Sequence, residues 1–108
     1  MFMDQGVAVG AMAPQRKITF AQVLEAVSEH YNVGVLDLKS SSRRRAVARP
    51  RQVAMYLGRK LTNLSLTKIG MILNKDHTCV LHAERVVPTF GLDGAISEIK
   101  RSLGVSHD

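Results

Sequence analysis

Three groups of residues in this chain are of types and spacings that do chemistry. They are Arg43-Arg44-Arg45, then Arg49 and Arg51 flanking Pro50 with Gln52 behind them, then Lys75-Asp76-His77-Thr78-Cys79. Arginine carries a planar fork of donors that matches guanine in a major groove, and glutamine pairs in the same bidentate way with adenine. An arginine on a loop also suits a narrow A·T-rich minor groove, where the potential is most negative. His77, Thr78 and Cys79 are short enough for close approach to base edges. A different chemistry is open to His77, Cys79 and His82. Cys79 and His82 are i, i+3 on one helix and could share a metal ion. A structural zinc wants four ligands in paired spacing, and His30 and His107 are remote in sequence. A nucleophilic cysteine needs a positioned base and a third, orienting group, and nothing in the spacing supplies them. No Gly-x-x-x-x-Gly-Lys-Ser/Thr segment is present, so there is no ATP site of the P-loop kind. The residues favour binding over catalysis, with no metal and no cofactor.

Charge placement points the same way. The chain has 108 residues, a net charge of +6 and a pI near 10.0. Ten basic residues fall between Leu38 and Lys75 with no Asp or Glu among them, which makes that window +10 and leaves the flanks at −4. An inert surface intersperses both signs, whereas a one-sign stretch suits a polyanion partner.

Length and composition set the frame. One domain fits 108 residues. The 45% hydrophobic and 22% charged content is ordinary globular usage, and no run approaches the ~18 apolar residues of a membrane span. Cys79 is the one cysteine, so no intrachain disulfide forms. Asp4 and the lack of a basic start argue against a signal peptide. A reducing cytoplasm is the expected compartment.

The elements that must position these residues are helices. Thr19 with Gln22 fits a capping box; Phe20, Val23, Leu24, Val27 and Tyr31 make one stripe, and Asn32-Val33-Gly34 ends it. Val35–Leu38 reads as one helical turn or a connector. Ser40-Ser41-Ser42 opens a loop that runs through Arg43-Arg44-Arg45. Pro50 is expected in the first turn of the next helix, where its missing N–H costs nothing, with Val53, Ala54, Leu57 and Leu61 inward. Ser65 is the candidate N-cap of a third helix carrying Leu66, Ile69, Ile72 and Leu73. Asp76 caps a fourth, His77–Val87, which stops before Pro88. Val80, Ala83, Val86 and Val87 face inward there, and His82 is expected partly buried. A last helix, Leu92–Leu103, carries Ile96, Ile99 and Leu103 inward and exposes Lys100 and Arg101. Gly58 and Gly70 sit inside helical patterns at about 1 kcal/mol each relative to Ala, which predicts close packing. The expected class is all-α, a compact bundle of five or six short helices, with tails at residues 1–17 and 105–108 around a domain at 18–104.

Only Asn74-Lys75-Asp76 separates the third helix from the fourth, and that spacing describes a helix-turn-helix. The second helix then presents its N-terminal side chains in the major groove. Lys68 and Lys75 are the cations of this pair suited to phosphates.

These residues carry a resemblance. Ala48-Arg49-Pro50-Arg51-Gln52, followed by Ala54, Met55 and Leu57, resembles a helix of the C-terminal double-stranded-DNA-binding domain of DnaA, the bacterial replication initiator. Ile69-Gly70, then Lys75-Asp76-His77-Thr78-Cys79-Val80-Leu81-His82-Ala83, is similar to the second signature of that family. The resemblance runs from about Ile18 to Val87. It implies a Trp-repressor-like helical domain that binds A·T-rich boxes as a monomer, without metal. It implies that Arg43 and its neighbours probe the minor groove, that Arg51 and Gln52 contact DNA with Arg51 the groove reader, and that Asp76, His77, Thr78 and Cys79 read bases. Cys79 stands where the family has a second threonine, Lys75 where it has arginine, and Asn74 replaces a Gly-Gly turn with one residue fewer. Cys79 lacks the hydroxyl and methyl that meet thymine, and Lys75 cannot form a bidentate fork.

Double-stranded DNA is thus the expected partner, with DnaA or other replication and transcription proteins beside it and no membrane. Replication initiation or control, or transcription regulation, is the expected role, in the nucleoid or as a phage product. A small free-standing regulator and a domain of a longer chain both fit. The alternative is a non-enzymatic interaction module that docks through its last helix.

Overall fold

In a computed structural model, residues 18–104 are described, so the expected tails lie outside the described residues. The chain forms α1 (Phe20–Tyr31), α2 (Val35–Leu38), α3 (Arg45–Leu61), α4 (Leu66–Leu73), α5 (His77–Val86), a 3₁₀ turn (Val87–Phe90) and α6 (Asp93–Ser102). No strand occurs among the described residues. Among the described residues, the all-α class and the six helices are as expected.

Local chemistry sets the boundaries. The Thr19 hydroxyl accepts from the Gln22 amide while the Gln22 side chain accepts from the Thr19 amide, which closes the capping box of α1. Asn32 then ends α1 in the left-handed region at φ 56°. The Ser65 hydroxyl accepts from the Lys68 amide at the start of α4.

α3 lies at the centre and packs against α1, α2, α4, α5 and the 3₁₀ turn, while α6 closes over α1. Its Val53, Ala54, Met55 and Leu57 meet Phe20, Val23, Leu24 and Val27 from α1, Ile69 and Leu73 from α4, and Val80 and Ala83 from α5. Ala26, Leu38, Val87, Ile96 and Ile99 complete the core.

Three expectations about these helices change. α3 begins at Arg45, not at Pro50, so Arg45 is helical and Pro50 lies inside the helix. The earlier start buries Val47 on the face that carries Pro50, Arg51 and Ala54, at spacings of three and four residues. Proline removes one backbone bond, to Ala46, and its buried ring joins the inner face. Arg49 and Arg51 are consequently second-turn residues. α5 ends at Val86, and Pro88 falls within the 3₁₀ turn, which Gly91 closes at φ 71°. Lys100 is half-buried on α6 and Arg101 is exposed.

The two helical glycines mark close approaches. A Cβ on Gly58 would lie 2.5 Å from the Phe20 ring and 3.2 Å from Ile69 Cδ1. At Gly70 it would lie 2.6 Å from the Lys75 carbonyl oxygen, so α4 is pressed against the turn that follows it. That obstacle is backbone and has no rotamer to change. Gly70→Ala is expected to destabilise the chain by about 1–3 kcal/mol, read as a lower urea midpoint. A midpoint equal to the parent's would mean that the turn is free to shift.

Candidate nucleic-acid interface

The first turn of α5 is built by its cap. Asn74 takes the left-handed conformation at φ 59° and reverses the chain after α4. The Lys75 amide donates to the Gly70 carbonyl at 2.7 Å, which draws the turn tight. The Asp76 carboxylate accepts from the His77 amide at 2.8 Å and from the Thr78 hydroxyl at 3.0 Å, and its main-chain carbonyl accepts from the Cys79 amide at 3.0 Å. The Thr78 hydroxyl and the His77 amide hold the Asp76 carboxyl below its ordinary value. Asp76, His77, Thr78 and Cys79 are all exposed. A helix N-terminus with exposed polar side chains suits an anionic, hydrogen-bonding surface.

The basic segment is organised from its root. Serines shape it: the Ser40 hydroxyl donates to the Asp37 carbonyl at 2.7 Å and accepts from the Ser42 amide at 3.2 Å, and the Ser42 hydroxyl accepts from the Arg44 amide at 3.4 Å. Such local bonds give a loop its shape in place of helix or sheet. Arg43 and Arg44 are exposed on this arm, and Arg45 is exposed at the start of α3.

Arg51 is buried beside the root of the arm rather than exposed on it. It is only 6% exposed, and its guanidinium is spent on backbone carbonyls. Nε donates to Leu38 at 2.8 Å, and Nη2 donates to Ser40 at 3.0 Å and to Asp37 at 3.4 Å. Burial lowers the pKa of this side chain, which stays cationic because arginine titrates so high. Lys75 is held in the same way, with Nζ 2.9 Å from the Ser40 carbonyl. Asn74 donates to the Lys39 carbonyl at 3.3 Å.

A groove of about 380 Å³ joins these parts, lined in part by Gln52, Lys75, Thr78 and Cys79. Arg51 also lines it, together with Ala48, Met55 and His82. Sequence reasoning missed those three. His82 is exposed rather than partly buried, because it follows Thr78 by four residues on the outward face of α5. The same spacing rule would have found Ala48 and Met55, which flank Gln52 on α3. Arg49 is not brought into this groove: its guanidinium lies 3.9 Å over the Phe90 ring. Lys68 is exposed on α4. Among the described residues, no three His, Cys, Asp or Glu side chains converge on a metal site.

Two outcomes follow from this geometry. Arg51→Met strips the donors from buried carbonyls and is expected to cost about 1.5–3 kcal/mol in urea unfolding, whereas Gln52→Ala is expected to stay within about 0.5 kcal/mol. Equal stability of Arg51→Met and parent would mean that the guanidinium holds nothing. Asp76 has a folded pKa below its unfolded one, so its contribution is present above the ordinary carboxylate range and fades as pH falls through the lowered value. The His77 amide resonance is expected to titrate below that range, and a midpoint within it would contradict the cap.

Comparison with known proteins fits this architecture. Residues 20–87 match the family model described as the bacterial dnaA protein helix-turn-helix. The chain is 47% identical over 88 residues to the chromosomal replication initiator protein DnaA of Gluconobacter oxydans, covering 80% of this chain and 18% of that protein. It is 43% identical over 88 residues to DnaA of Roseobacter denitrificans, covering 80% and 19%. It is 50% identical over 68 residues to DnaA of Thermoanaerobacter sp. strain X514, covering 63% and 15%. The chain therefore spans less than a fifth of the length of these curated relatives. With its short turn between α4 and α5 and this match over most of its described length, the chain belongs to the bacterial DnaA helix-turn-helix family of DNA-binding domains.

Proposed function

We propose that the chain binds duplex DNA sequence-specifically at an A·T-rich site of the DnaA-box kind, in the initiation or control of replication. α5 enters the major groove and the Arg43–Arg45 segment enters the adjacent minor groove. The observation that carries this reading is the attachment of the turn before α5 to the root of the arm, through Asn74 to Lys39 and Lys75 to Ser40. Two elements suited to two grooves share one anchoring point. His77 and Thr78 offer polar contacts to base edges, and Cys79 offers a thiol with no methyl for thymine. Gln52 lines the groove beside them. Lys68 is exposed on α4, and its ammonium would serve as a contact to the phosphate backbone. The activity is binding, without a catalytic step, and the relatives' name, chromosomal replication initiator protein, supports a site used in replication initiation.

Fluorescence anisotropy with a labelled DnaA-box duplex and a scrambled duplex, over a salt series, tests this. Neutralising about five phosphates gives a log–log slope of about −4 to −5, with tighter binding to the box. Replacing Arg43, Arg44 and Arg45 by Ala is expected to weaken binding while the helical circular dichroism stays. His77→Ala or Thr78→Ala is expected to erode preference by about 1–3 kcal/mol per lost base contact. A shallow slope and no preference between duplexes would sink the reading and favour a protein-docking module.

A further inference from the structure

Lys75 occupies an unusual position for a cation beside a DNA-reading helix. It is half-buried, and its ammonium lies 2.9 Å from the Ser40 carbonyl. The same oxygen accepts from Arg51 Nη2 at 3.0 Å. One carbonyl with two lone pairs thus takes donors from two cations on two different elements, α3 and the turn before α5. Asn74 adds a bond from the same turn to Lys39. Ser40 is also the residue whose hydroxyl shapes the arm, through Ser42. An ammonium that turned outward to a phosphate would release this link and leave the arm's root held from α3 alone.

We infer that Lys75 is a positioning residue that sets the distance between the basic arm and the first turn of α5, rather than a phosphate ligand. The inference rests on the proposed reading of the arm and α5 as two DNA-reading elements. It gives Lys75 a signature that a phosphate contact lacks. Loss of a phosphate contact weakens all duplexes alike and makes the salt slope shallower by about one. Loss of a spacer leaves the slope alone, weakens the box more than the scrambled duplex, and removes the benefit of residues at the far end of the spacer.

The test uses the full chain as parent, Lys75→Met, Lys75→Arg, Arg43→Ala and the double variant Lys75→Met/Arg43→Ala, each titrated with box and scrambled duplexes over a salt series. Lys75→Met is expected to keep the parental slope and to lose box preference. The double variant is expected to bind the box at least about threefold better than the product of the two single losses, because the pair is coupled. Lys75→Arg keeps a donor and restores the preference. Without DNA, amide hydrogen exchange across Ser40–Arg44 is expected to speed up in Lys75→Met. A slope shallower by about one with equal losses on both duplexes, or multiplicative losses in the double variant, or unchanged exchange at Ser40–Arg44, would each overturn the inference. A parent that binds both duplexes weakly and alike fails at the earlier step, and marks the failure of the DNA reading itself.

Discussion

One buried guanidinium holds together the half of this domain that carries the basic arm and the turn before α5. α2 is four residues long, so its carbonyls find few partners within the helix. Arg51, reaching over from α3, donates to Asp37, Leu38 and Ser40 at the end of that helix. A buried cation is costly unless it is hydrogen-bonded, and here the helix C-terminus supplies oxygens with partial negative charge. The bond set satisfies both sides at once. It fixes where the chain leaves α2, and through Ser40 it fixes where the arm starts and what Lys75 can hold.

Much of this was legible in the residues themselves. Thr19 with Gln22, Ser65, Asp76 and the stripes of α1 and α4 are local signals, and local physics decides them. Asn74 was legible for the same reason, since few side chains tolerate a positive φ. The start of α3 was not, because Pro50 looks like a first-turn residue until the burial of Val47 is known. The burial of Arg51 was not legible either, because sequence gives a side chain's charge and not its direction. Its partners lie 11 to 14 residues away, at the end of a helix too short to show a period. His82 failed on the same ground: its exposure depends on the rotation of α5 against α3.

The charge count of the middle window overstates what faces outward. Arg51 and Lys75 are turned to main-chain oxygens, Arg49 lies on Phe90, and Arg59 reaches the Leu64 carbonyl and lies 3.5 Å from Glu84. The arginines of the arm and Lys68 remain exposed. A basic segment can thus spend part of its charge as scaffold and part as surface, and composition alone does not divide the two.

Asn74 also acts on the chain before it folds. A left-handed helix end is more often given to glycine, which in the unfolded state wanders over both signs of φ. Asparagine has fewer unfolded conformations to lose, and it pays in return some steric strain at φ 59°. Where the native conformation is tolerated, trimming that entropy is worth a few tenths of a kcal/mol to about 1 kcal/mol. The reversal between α4 and α5 therefore sets a smaller loss of chain entropy against a steric cost at positive φ that glycine would not carry.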